Sequence, residues 1–158
     1  MTARSPLSLR IAILGVGNIG SAFAFKLVSV GKHEVTAVVR PGSVRLKQLE
    51  RDGAIVLTSG ERASVHVADA LDESIPYDLV LVTLLTHQVD AVLPSLQRSA
   101  AKTVHFMANH FDPERLARAV GTGRCVFGMP FVQVRLRPTG TPEGELPAPP
   151  RSEETRGN

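Results

Sequence analysis

Tryptophan is absent, tyrosine occurs once, and all aromatic residues together make up 4% of the 158-residue chain. A surface that grips single-stranded nucleic acid stacks successive bases on aromatic side chains, and this chain is too poor in them to build one. Charge agrees: the formal net charge is only +3, and the lysines and arginines are scattered rather than gathered on one face, so no nucleic-acid partner is expected. A single cysteine, Cys125, excludes an internal disulfide, and its apolar neighbours suit a buried, unreactive thiol. His105 and His110 stand without an acidic or thiol companion at metal-ligand spacing, so no metal is expected. No apolar run reaches the roughly 20 residues that cross a bilayer, and the first nine residues lack the hydrophobic centre of a secretion signal. A cytoplasmic protein without membrane contact is the expectation.

What the chain does have is apolar sequence for one packed domain, at 43% hydrophobic content. Its most informative stretch runs from Ile11 to Val30. A continuous apolar run stops at Gly15, glycines fall at Gly15, Gly17 and Gly20, and the pattern then turns helical. In a strand–turn–helix of this kind the first glycine permits the tight turn, the second lets backbone approach a pyrophosphate, and the third lets the helix lie against the strand. Phosphates would sit at the helix N-terminus, where free N–H groups and the positive end of the dipole converge. A turn with glycines for purely structural reasons is the alternative.

Taken in order, the chain reads as strand Leu9–Leu14, helix Asn18–Val30, strand His33–Val39, helix Ser43–Arg51 and a hairpin of strands Ala54–Thr58 and Arg62–Val67. A polar loop then leads to strand Asp78–Leu84, a Thr86-capped helix His87–Arg98 that Pro94 should kink or break, strand Thr103–Met107, an Asp112-capped helix to Val120, and strand Cys125–Gly128. This alternation predicts an α/β doubly wound, Rossmann-type parallel sheet with helices on both faces. In the first helix Ile19, Ala22, Phe23, Leu27 and Val30 form the expected stripe, and Ala24, Phe25 and Val28 lie outside it, which predicts a second covering surface such as another chain or domain. The strand ending at Arg40 carries a cation and no acid nearby, about twenty residues after Gly20, where a dinucleotide fold meets the adenosine ribose; an arginine there accommodates a 2′-phosphate, so NADP(H) is favoured over NAD, with Arg45 able to assist. An exposed arginine of an ordinary turn is the alternative. The carboxyl ends of the strands, Gly15–Gly20, Arg40, Leu84–His87 and Asn109-His110, should face one crevice. Residues 1–134 form the predicted domain. Residues 135–158, rich in Pro, Gly, Glu and Arg, bury too little to offset the entropy of ordering and are expected to be a disordered tail.

The glycine turn G-V-G-N-I-G, then G-K-H-E-V ending in V-V-R, then D-L-V-L-V-T-L followed by Q-V, a strand ending at Asn109, and V-F-G-M-P together resemble ketopantoate reductase over about residues 9–134. The resemblance is to that family's N-terminal NADP-binding domain. It implies that Gly15, Val16, Gly17, Asn18, Ile19 and Gly20 hold the pyrophosphate, that Arg40 pairs with the 2′-phosphate, that Leu84 and Leu85 border the cofactor, and that Asn109 stands beside the nicotinamide and a small 2-ketoacid. Two positions depart from the family pattern. Leu85 occupies the place of a crevice lysine, and the family's Asn-Gly pair is Asn109-His110, which leaves His87 and His110 as candidates to replace the missing charge. The family's proton-donating lysine and substrate-binding acid belong to an all-helical C-terminal domain that none of these 158 residues resembles. Two readings stay open: an NADPH-dependent oxidoreductase completed by a second copy or a separate helical chain, and a non-catalytic NADP-binding module, sensor or truncated relic.

Overall fold

The computed structural model describes residues 7–107 and 112–130, together with the backbone of Arg135–Leu136 and Pro142–Glu143. The elements are β1 (Arg10–Leu14), α1 (Asn18–Ser29), β2 (Glu34–Val38), α2 (Val44–Asp52), β3 (Ala54–Val56), β4 (Arg62–Ser64), β5 (His66–Ala68), β6 (Leu79–Val82), α3 (Thr86–Arg98), β7 (Val104–Met107), α4 (Pro113–Val120), β8 (Cys125–Gly128), β9 (Arg135–Leu136) and β10 (Pro142–Glu143). A strand with apolar side chains on both faces must be covered on both, and Ile11, Ala12 and Ile13 of β1 are fully buried at the middle of a six-stranded parallel sheet. The sheet order is β5-β2-β1-β6-β7-β8, with Leu14 opposite Val38 on one side and Val82 on the other. Alternation along the strands then feeds two cores. Ile11, Ile13 and Val35 pack with Ala24, Phe25, Leu46 and Leu49 under α1 and α2; Ala12, Val80, Val82 and Phe106 pack with Val89, Leu96 and Leu116 under α3 and α4. This is the doubly wound α/β sheet that the sequence predicts.

Where the structure differs, the causes are local. The expected single strand Arg62–Val67 serves two sheets: Arg62–Ser64 pairs antiparallel with β3, the chain turns at buried Val65, and His66–Ala68 joins β2 as the parallel edge strand. A period-two pattern sets the face of a strand and says nothing of its neighbour. Thr86 is the first residue of α3 rather than its cap. Leu85 holds the cap position without a side-chain acceptor, and Gln88 Oε1 accepts from the Leu85 N–H at 3.1 Å. Helix α3 runs unbroken through Pro94, because both Pro94 and Asp90, whose carbonyl loses its donor, are on the exposed side where water serves instead.

The apolar surplus of α1 finds its cover within the chain. Ala24 and Phe25 are buried in the first core and Val28 packs against it, with the β3–β4 hairpin and β10 beside the helix. These residues are therefore not a surface awaiting another chain or domain. Of the stripe expected to face inward, Val30 is 69% exposed. Within the segment expected to be disordered, β9 and β10 pair antiparallel, with Pro142 opposite Leu136; the rest of that segment lies outside the described residues. Cys125 is half-buried, and burial pushes its thiol above the ordinary range, although Arg124 opposes the shift.

Candidate dinucleotide site at the glycine turn

Gly15 leaves β1 at φ +87°, in the left-handed region that a side chain rarely adopts, and its amide donates to the Val38 carbonyl at 3.1 Å. A Cβ placed there would stand 2.7 Å from Leu84 Cδ2. Gly20, inside α1, faces the Gly15 carbonyl and the Thr83 hydroxyl so closely that a Cβ has no room. The third glycine thus presses the helix onto the turn.

Carbonyl oxygens of the turn are held from beneath. The Thr83 amide donates to Leu14 O at 2.9 Å and the Thr83 hydroxyl to Gly15 O. Val16 O accepts from the Ser21 hydroxyl at 3.2 Å and from Arg45 Nε at 2.8 Å, and Arg45 Nη2 donates to Ser21 Oγ at 2.7 Å. Burial lowers the Arg45 guanidinium from its ordinary value, with Asp52 opposing. Arg45 therefore props the turn from inside rather than reaching toward a phosphate. Thr83, Ser21 and Arg45 are residues that sequence reasoning missed in this role: Thr83 and Arg45 act on turn oxygens distant in the chain, and Ser21, five residues from Val16, gains its place from the fold of the turn and from Arg45.

On the outer side the geometry is the reverse. Gly17 is the N-cap of α1 with no side-chain cap, and a Cβ on it would meet nothing within 4 Å. The first amides of a helix have no acceptor within it, so an open, uncapped N-terminus behind a supported turn has the form of an anion cradle. Val16 is buried and Asn18 exposed, with Ile19 half-buried between them and the helix body.

Beside this turn lies a cavity of about 480 Å³. Its walls are Leu14 and Gly15 at the end of β1, Val38 to Pro41 at the end of β2, residues 69–71 after β5, Leu84 after β6, and the α3 face bearing His87, Gln88, Val92 and Ser95. It sits where the sheet order reverses direction between β1 and β6, at the carboxyl ends of the strands. Arg40 is exposed on its rim. The sequence places no acid near Arg40, yet the structure does: β5 pairs with β2 so that Ala68 lies opposite Val38, which brings Asp69 to the same cavity. The sequence signal is the strand that runs directly into H-V-A-D, and the hairpin pairing of its first half with β3 masks the parallel pairing of its second half with β2. His87 shares this wall with Arg40 and Leu84. Leu85, by contrast, is 62% exposed and does not line the cavity. Asn109 and His110 lie outside the described residues. No helix among the described residues is long and apolar enough to cross a membrane.

Sheet order, the glycine turn at the switch point and the cavity beside it define a Rossmann-type α/β domain. The family model described as Ketopantoate reductase PanE/ApbA matches residues 11–143, and the chain belongs to that family. It is 27% identical over 101 residues to the 2-dehydropantoate 2-reductase of Bacillus subtilis (strain 168), a match covering 64% of this chain and 33% of that protein. Among solved structures it resembles the probable 2-dehydropantoate 2-reductase of Bacillus subtilis at a TM-score of 0.71 and 23% identity, over 87% of this chain and 47% of that one. D-mandelate dehydrogenase, solved with NADH and anilino(oxo)acetate, gives a TM-score of 0.69 at 19% identity, over 85% and 45% of the two chains. These structural likenesses are likenesses of fold. The chain spans a third of the curated relative and just under half of the solved ones, corresponding to their N-terminal portion.

Proposed function

We propose that this domain binds NADP(H) and presents it for the reduction of a small 2-ketoacid such as 2-dehydropantoate, as part of an oxidoreductase of the ketopantoate reductase type. The observation that carries the reading is Arg40, exposed at the rim of an apolar cavity that reaches the glycine turn at Gly15. A guanidinium so placed can take a 2′-phosphate in a bidentate, charge-assisted pair. The residues present fit the group: Gly17 leaves space for a pyrophosphate over the α1 N-terminus, flanked by Gly15, Val16, Asn18, Ile19 and Gly20, while Val38, Val39, Leu84 and Val92 offer apolar walls to an adenosine. When bound, NADPH supplies a hydride. Asn109 and His110 are the candidates on the substrate side, Asn109 to orient the reacting carbonyl and His110 to hold a proton near it. The position of His87 on the Arg40 cavity favours a nucleotide contact for it over a catalytic one.

One observation favours the alternative of a binding module without catalysis. Leu85, where the family has a lysine, is exposed and uncharged. Both readings require the cofactor, so cofactor titration comes first. NADPH should bind more tightly than NADH, and Arg40→Ala should narrow the gap by about 1.5–3 kcal/mol. Equal affinity of the unaltered protein for the two would overturn the 2′-phosphate assignment. The partner on the substrate side is proposed to be a helical domain, in a separate chain or in further sequence, since the matched portion of the relatives ends well short of their full length.

A further inference from the structure

We infer that Asp69 is a specificity-determining residue of the Arg40 cavity, one that limits its preference for a 2′-phosphate and supports binding of the unphosphorylated cofactor. The inference rests on the NADP(H) reading above and adds to it a residue of opposite sign. Two parallel strands bring the pair together. Val38 lies opposite Ala68, the Val39 amide donates to Ala68 O at 2.9 Å, and the next residues of each strand, Arg40 and Asp69, emerge at one rim and line one cavity.

Both side chains belong to exposed residues, and no ion pair joins them, so Asp69 does not occupy the guanidinium that a phosphate would use. Its charge nevertheless acts across the cavity. A phosphate monoester carries close to two negative charges at neutral pH, and a carboxylate within a few ångströms to a nanometre raises its free energy, a cost that a neutral ribose hydroxyl does not incur. The same carboxylate can accept a hydrogen bond from that hydroxyl, the service an acid at the end of the second strand performs in NAD-dependent folds. Here the cation stands on the second strand and the acid on the neighbouring one, so the cavity holds one group suited to each cofactor.

Titration of the 158-residue chain with NADPH and with NADH, for the unaltered protein and for Asp69→Asn and Asp69→Glu, tests this. Asp69→Asn should raise the preference for NADPH over NADH about three- to tenfold, and the gain should shrink as salt approaches about 0.5 M. Asp69→Glu keeps the charge and should keep the unaltered ratio. Thermal melting of each variant confirms folding, which an exposed side chain should not disturb. If the unaltered protein prefers NADPH and Asp69→Asn leaves the ratio where it was, the role of Asp69 is overturned while the NADP(H) reading stands. A rise with Asp69→Glu equal to that with Asp69→Asn also overturns it, since charge would not be the cause. Failure of the unaltered protein to bind either cofactor overturns both.

Discussion

At Gly17 the space a side chain would fill is empty for 4 Å, whereas at Gly20 it is occupied by the Gly15 carbonyl and the Thr83 hydroxyl. The two glycines should therefore fail in different ways. Gly17→Val places its branch where the pyrophosphate is proposed to sit, so it should abolish NADPH binding and leave the melting temperature almost unchanged. Gly20→Ala drives a methyl into backbone and should cost about 1–3 kcal/mol of stability, read in urea unfolding. An unfolded Gly17→Val, or a Gly20→Ala as stable as the unaltered protein, would reverse these roles. The place of the glycines in the turn and of Arg40 on the cavity rim was legible in the sequence because β1, α1 and β2, which carry them, are contiguous. Asp69, Thr83 and Arg45 were not. Each acts on the site through a pairing between segments far apart in the chain, and local periodicity carries no record of such a pairing.

Two helices end near one another and are tied by a residue that no motif marks. Arg124 donates from Nε to Val120 O at 2.9 Å, from Nη1 to Ser99 O at 2.7 Å and Ala101 O at 2.9 Å, and from Nη2 to Leu96 O at 2.8 Å and Gln97 O at 3.0 Å. All the guanidinium donors thus meet carbonyls at and just beyond the ends of α3 and α4, of which Leu96 O accepts from the Ser99 amide and hydroxyl as well, and the charge also opposes both helix dipoles. Removing the side chain in Arg124→Ala leaves several of these oxygens without donors and should cost about 2–4 kcal/mol. Arg124→Lys should recover less than half of the loss, because a point-like ammonium cannot span the fork. Chemical denaturation of the three proteins measures this; a lysine variant as stable as the unaltered chain would show that charge alone suffices. The existence of α3 and α4 was legible from apolar spacing. Their capping was not, since Leu85 is a poor cap on any propensity scale and Arg124 reaches α3 from beyond α4. The face of α1 was also misjudged. Its inner side is set by the β3–β4 hairpin as well as by the sheet, so a single-stripe pattern underestimates what is buried.

At the scale of the whole molecule, the parallel order and the position of the crevice follow from strand–helix alternation and were legible, because right-handed crossovers leave few ways to wind such a chain. Catalysis is where the scale matters most. Reducing a ketone requires the carbonyl to be held against the nicotinamide and a proton to reach the developing alkoxide. The described residues are proposed to supply the cofactor side; the relatives that match do so over 33% and 47% of their own length, and Leu85 brings no charge to the crevice. The 158-residue chain by itself is therefore expected to bind NADPH and to turn over little or none of it. General acid catalysis typically contributes about 10²–10⁴-fold, and loss of substrate positioning costs roughly as much again. These factors multiply, and the residual rate should fall below detection. NADPH oxidation by purified chain, followed with 2-dehydropantoate and related 2-ketoacids at saturating cofactor, measures it. Turnover near one per second, ordinary for an enzyme at about 1–10³ s⁻¹, would refute the expectation and require the acid to come from His110 or His87; His110→Ala and His87→Ala would then tell which, by loss of kcat with cofactor affinity retained.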